Sequence, residues 1–107
     1  MSSMIYGLVR QAIIDKKIVT GNYDGYYREM CPHTIGRSKT GDEQALFYQT
    51  GGESKSGLGP PGSPKNWRCI PLSRLSNVKV IDGAWGTASN HSMPQTCVAD
   101  IDIEVDF

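Results

Sequence analysis

Ile18-Val19-Thr20-Gly21-Asn22-Tyr23-Asp24-Gly25-Tyr26-Tyr27-Arg28-Glu29-Met30-Cys31 is the stretch that decides the architecture. Both halves are β-branched and aromatic, and Asp24-Gly25 between them is the dipeptide that favours a two-residue hairpin turn. The reading is a hairpin of Ile18–Tyr23 and Tyr26–Cys31. Pro32 offers no backbone N–H to a ladder and is expected to end the second strand. His33 to Asp42 then reads as a polar loop.

On the N-terminal side, Met4, Ile5, Leu8, Val9, Ala12 and Ile13 recur at helical spacing, with Arg10, Gln11, Asp15 and Lys16 on the other side. This predicts a short amphipathic helix, with Ser2 or Ser3 as N-cap. On the C-terminal side, Ala45–Thr50, Trp67–Pro71 and Val78–Ile81 read as further strands. Leu72 to Asn77 is long enough for one tight helical turn between the last two. The expected core includes Ile13, Val19, Leu46, Ile70, Leu72 and Val80.

Gly51 to Asn66 is rich in Gly, Ser and Pro, and a structureless loop of that length is expected to be functional or disordered. Its glycines could form an anion-binding nest, although it lacks the spacing of a Walker loop. Trp85 to Thr96 shows no periodicity and reads as loop. The tail alternates Ile101, Ile103, Val105 and Phe107 with Asp102, Glu104 and Asp106, the pattern of an added edge strand with one apolar and one acidic face. The fold class expected is mainly β with one short N-terminal helix, in the form of a small, strongly bent five-stranded barrel. Residues 1–85 would form the barrel with its helix, and 86–107 a loop and edge strand of the same domain.

Composition narrows the function. The chain has 107 residues, room for one modest core. No apolar run approaches the roughly 18 residues of a membrane span. Met1-Ser2-Ser3-Met4 does not resemble a secretory leader, and Cys31, Cys69 and Cys97 lack paired spacing, so the expectation is a cytoplasmic protein with reduced thiols. All eleven Lys and Arg fall between Arg10 and Lys79, against six acids there, whereas Asp82, Asp100, Asp102, Glu104 and Asp106 follow without a base. A cationic body suits phosphate-bearing partners, and the acidic tail could compete for the same surface.

His33 and His91 are the two histidines, and neither is spaced from a carboxylate or thiol as in a nucleophile motif. No catalytic residue, cofactor or metal cluster is expected. The candidate ligand-binding residues are Tyr23, Arg28, His33, Arg37, Tyr48, Arg68 and Arg74. Arginine offers a planar fork for phosphate and tyrosine a stacking surface for bases. Arg28, Arg37 and Arg74 are expected to converge on one groove, with Tyr23 and Tyr48 stacking and His33 adding a hydrogen bond.

The run from Ile18 to Tyr23, Asp24-Gly25, Arg28, Pro32 and then Ile70-Pro71-Leu72-Ser73-Arg74-Leu75-Ser76-Asn77-Val78 resembles the WYL domain family. The likeness covers about Leu8 to Trp85. Tyr23, Arg28 and Pro32 match that family's Tyr-x-Gly, Arg and Pro strand pair, and Leu72-Ser73-Arg74-Leu75 its Leu-Asp-Arg-Ile turn. Pro32-His33, Gly36, Tyr48-Gln49-Thr50-Gly51-Gly52, Ser54-Lys55-Ser56-Gly57 and Trp67 look like those of a subgroup of small stand-alone bacterial proteins with this architecture. The resemblance implies an Sm-like, SH3-type barrel with a basic, aromatic groove that senses nucleic acid or a nucleotide-like ligand in regulation. The naming Trp-Tyr-Leu tripeptide is absent, its strand reading Ala45-Leu46-Phe47-Tyr48, and there is no room for a helix-turn-helix. The alternative is a protein-interaction or oligomerisation subunit that docks a partner or a second copy through the helix and tail.

Overall fold

The computed structural model of the protein describes residues 4–52, 67–83 and 97–104. Helix α1 (Met4–Asp15) is followed by β1 (Ile18–Tyr23), β2 (Tyr26–Arg37), β3 (Glu43–Gly52), β4 (Trp67–Pro71), a single 3-10 turn (Leu72–Arg74), β5 (Ser76–Ile81) and β6 (Asp100–Glu104). All ladders are antiparallel, and the strand order is β4-β3-β2-β1-β5, with β6 added to β2. The sheet path is open between β4 and β5 among the described residues. The chain is thus mainly β with one short N-terminal helix.

The hairpin forms as expected. Asp24 and Gly25 take φ of 55° and 81°, the left-handed pair that turns a hairpin with the natural strand twist. The register runs from Tyr23↔Tyr26 to Val19↔Met30. The expectation that Pro32 ends the second strand is corrected, because β2 continues to Arg37 and only residues 38–42 turn. The reason lies in the neighbours. β1 covers β2 up to Met30, and β6 covers it from Thr34 onward. Pro32 pairs with Phe47 of β3 beside a bulge, and the gap on its other edge asks no N–H of it.

Two further expectations shift. Helix α1 is present, but it buries Tyr6, Val9, Ala12 and Ile13 and leaves Met4 and Leu8 exposed. The tail strand is also present, yet a bulge at Asp102 lets Ile103 face Ile35 and Ile101 face Gly36, on opposite sides of the sheet. Ile103 therefore packs against the core whereas Ile101 is exposed. Gly36 is needed beneath this strand, since a Cβ there would collide with the Asp100 carbonyl and the Val98 side chain. Ser2, Ser3, residues 53–66 of the glycine-rich segment, the Trp85–Thr96 loop, and Val105, Asp106 and Phe107 of the expected tail strand lie outside the described residues.

The main core joins α1 to one face of the sheet through Val9, Ile13, Val19, Met30, Ile35, Ala45, Phe47, Ile70 and Leu72. Leu46 and Val80, expected inside, are only half-buried. The expectation of three reduced thiols is corrected as well. The topology brings Cys69 of β4 and Cys97 to a Cα separation of 5.8 Å in a disulfide, and Cys31 alone is free. Their separation of 28 residues carried no trace of this contact. No described helix is long and apolar enough to cross a membrane.

Asp102 ties β6 to the helix. Its Oδ2 accepts the Tyr6 hydroxyl at 2.6 Å and the Arg10 Nε–H at 3.1 Å. The Tyr6 bond, helped by Arg10, holds the Asp102 carboxyl below its usual range, while burial and then the bond to Asp102 push Tyr6 up to about 12. Asp102 stays ionised at pH values where an unfolded carboxyl is protonated, so its stabilisation is complete above pH ~4 and disappears as pH falls through the lowered folded value. Tyr6 works in the other direction: its contribution is complete below pH ~10 and is lost as pH rises toward the folded value. The melting temperature of wild type should therefore exceed that of Asp102→Asn most between pH ~6 and 8, with the difference shrinking below pH ~4. A pH-independent difference between the two proteins would show that the carboxylate's charge is immaterial.

Candidate functional site

Alternation along β2 puts Tyr26, Arg28 and Met30 on one face, the face that carries the core. Arg28 stands at the end of that face, where its cross-strand neighbours are Gly21 on β1 and Gly52 on β3. With no side chain on either side, Arg28 lies over the sheet and is only 3% exposed. Its Nε donates to the Tyr23 carbonyl at 3.3 Å and its Nη1 to Gln49 Oε1 at 3.2 Å. Gln49, fully buried, is fixed in turn by its Nε2 donating to the Gly51 carbonyl at 2.9 Å. Gly52 holds φ at 80°, and any Cβ there would run into the backbone of Tyr27 and Arg28.

Aromatic rings complete the surroundings. The Arg28 Cζ lies 5.0 Å from the centre of the Tyr23 ring and 5.9 Å from that of Tyr26. Arg74, delivered by the 3-10 turn, places its Cζ 5.6 Å from the same Tyr23 ring. Arg68 pairs across from Phe47, which assigns it to the same core face, and its Nη1 donates to the Trp67 carbonyl. Burial, and after it the charge of Arg28, lowers the Arg68 pKa. Three guanidinium groups thus surround one end of the core face. Among the described residues the ion pairs use Arg10, Lys17 and Arg37, and no carboxylate reaches Arg28 or Arg74.

Of the seven expected residues, Tyr23, Arg28, Arg68 and Arg74 come together. Arg37 does not. It pairs with Glu43 and Asp100 at the far end of β2, roughly 30 Å of strand from Arg28, where it donates to the Gly41 carbonyl and sits 4.0 Å from Glu43. His33 and Tyr48 also fall elsewhere. Tyr48 pairs with Cys31 and Trp67 on the opposite face, where its ring centre is 5.1 Å from that of Trp67 and 6.4 Å from that of His33. Both residues are buried there, and the His33 Nδ1 is 2.8 Å from the Cys31 carbonyl. Tyr48 is out of phase because a strict period of two does not show the bulge at Thr50, whereas His33 shares the face of Cys31 by plain alternation. The expected stacking partner Tyr48 is therefore replaced by Tyr26, and Gln49 enters as the residue that orients Arg28. A glutamine inside an otherwise apolar strand was the available signal for it.

Among the described residues Arg28 has no counter-charge, a costly setting for a buried cation that two neighbouring cations make costlier. An anion at this end of the sheet would relieve both. His33 and Tyr48 are not placed to help it. No family model, no curated protein and no solved structure matches this chain.

Pyrophosphate should accordingly raise the melting temperature of the wild type at concentrations where an equal ionic strength of sulfate has little effect, by about 2.7 kcal/mol of stabilisation at a hundredfold excess over Kd and more beyond it. Arg28→Met, which keeps the stem and removes the charge, should rise no more with pyrophosphate than with sulfate. An equal excess over sulfate in Arg28→Met would remove Arg28 from the site.

Proposed function

We propose that the protein is a non-catalytic binding module for a phosphate-bearing, nucleotide-like ligand or short nucleic acid, held by Arg28, Arg68 and Arg74 beside Tyr23 and Tyr26. The observation that carries this reading is the buried Arg28 guanidinium, oriented by Gln49 and Tyr23 yet without a carboxylate among the described residues. Arginine forks suit phosphate oxygens, and the half-buried Tyr26 ring beside Arg28 offers a face on which a base can stack. The resemblance to WYL domains points the same way, toward ligand sensing in a regulatory role. It also supports the finer expectation of an Sm-like, SH3-type barrel, in that β4 passes to β5 through a single tight turn while the two strands stand at opposite ends of the sheet order.

A cytoplasmic location remains part of this proposal, and there the Cys69–Cys97 bond would be transient rather than permanent. A second reading, an interaction or oligomerisation subunit, draws support from Met4 and Leu8, one helical turn apart on α1 and 84% and 39% exposed.

Anisotropy titrations of a labelled short single-stranded oligonucleotide separate the two. The proposal expects log Kd to depend linearly on log salt, with a slope of about 0.7 for each phosphate contact. Arg74→Ala should weaken binding by about 1.5 to 3 kcal/mol and lower that slope, whereas Lys79→Ala on the exposed flank of β5 should change little. Equal losses in both variants would mean diffuse charge attraction. Concentration-dependent self-association without any binding would favour the second reading.

A further inference from the structure

The disulfide lies on the opposite face of β4 from Arg68, the residue that precedes Cys69. It joins Cys69, on the outermost strand β4, to Cys97, three residues before β6, and so bridges across the end of β3. What it holds in place is weakly held otherwise. Four of the five residues of β6 are exposed, and Ile103 is its one contribution beside the core. Among the described residues its further attachments include the ladder from Thr34 to Arg37, the Ala99 N–H to the Arg37 carbonyl, the Thr34 hydroxyl to Glu104, and the Asp102 bonds to Tyr6 and Arg10. Arg10 and Asp102 are 43% and 38% exposed, and pairs in such a setting contribute little. Val98, buried next to Cys97, is the other anchor.

We propose that the Cys69–Cys97 disulfide is a redox-operated latch for β6, opened by exchange with a low-molecular-weight thiol. The bond is reachable, since Cys69 is exposed and Cys97 half-buried, in contrast to the fully buried Cys31. Gln44 prepares it for exchange. Its Nε2 donates to the Cys97 carbonyl at 2.7 Å and lies 2.9 Å from the Cys69 sulfur and 3.6 Å from that of Cys97, where an N–H favours the departing thiolate.

In the exchange, an external thiolate attacks one of the two sulfurs, the S–S bond breaks, and the other cysteine leaves as a thiolate that takes a proton from water. A second external thiol then resolves the mixed disulfide. Two RSH become RSSR, and the protein gains two electrons and two protons. Once the tether is lost, β6 leaves the edge of β2, and Asp102 leaves Arg10 and Tyr6. The acidic strand thus covers or uncovers a basic residue of α1 according to the redox poise.

Hydrogen exchange of the full chain tests the latch. Oxidised protein, protein reduced with dithiothreitol, and Cys97→Ser are compared, with complete reduction verified by alkylation of Cys69 and Cys97. The expected result is exchange roughly ten- to a hundredfold faster for residues 100–104 and for those amides of 34–37 that face β6, in both the reduced protein and the variant. The hairpin amides of residues 19–30 should keep their protection, and oxidised glutathione should restore β6 in wild type but not in Cys97→Ser. Unchanged protection of β6 after full reduction would overturn the proposal. So would an equal loss of protection in the hairpin, which would make the bond a staple of the whole fold.

Discussion

Strand β2 is the constraint on which the rest depends. It carries β3 along one edge for nearly its whole length, while its other edge is shared by two strands in succession, β1 as far as Met30 and β6 from Thr34. Such a division needs a point where one edge may go unpaired, and Pro32 occupies it. Glycines at 21, 36 and 52 then allow the close approaches at its two ends: Gly21 and Gly52 flank Arg28, and Gly36 admits the β6 backbone. A bent strand with glycines at both ends therefore carries a cationic site at one end and a tethered acidic strand at the other.

The charge asymmetry of the sequence acquires a spatial meaning here. The described part of the acidic tail, residues 100–104, pairs with the end of β2 away from Arg28. Its Asp102 is used by Arg10 and Tyr6 at the opposite end, and Asp100 pairs in register with Arg37. The acids of β6 stand beside Arg10 and Arg37, whereas among the described residues no carboxylate reaches Arg28 or Arg74. The like-charge crowding that a folded chain normally avoids is retained at this one place, and the tyrosine rings beside it lower the cost without removing the charge.

Much of the architecture was legible in the residues. Asp24-Gly25 announced the hairpin, the Leu72–Asn77 interval the single turn, and the Ile/Asp alternation the last strand. Local signals of that kind depend on neighbours in the chain. What remained hidden depends on neighbours in space: the passage of β2 through Pro32, the half-burial of Leu46, the pairing of Cys69 with Cys97, and the rotation of α1 that buries Tyr6 in place of Leu8. The candidate site shows the same division. Tyr23, Arg28 and Arg74 were recognisable from their strand and turn positions, and Arg68 from its place on β4. Arg37 was assigned to them only because a loop was expected where the strand continues, a bulge at Thr50 moved Tyr48 to the other face, and His33 lies there by alternation with Cys31 once β2 runs on through Pro32.

The central claim is that Arg28 is a positioned cation whose partner is an external anion. The side-chain Nε–Hε resonances of the arginines, followed by NMR while pyrophosphate is added to the isotope-labelled protein, address it most directly. On this account the Arg28 resonance moves and saturates with the titration, while that of Arg37, already committed to Gly41 and Glu43, stays in place. An Arg28 signal that never moves, or one that moves no more than Arg37, would contradict it.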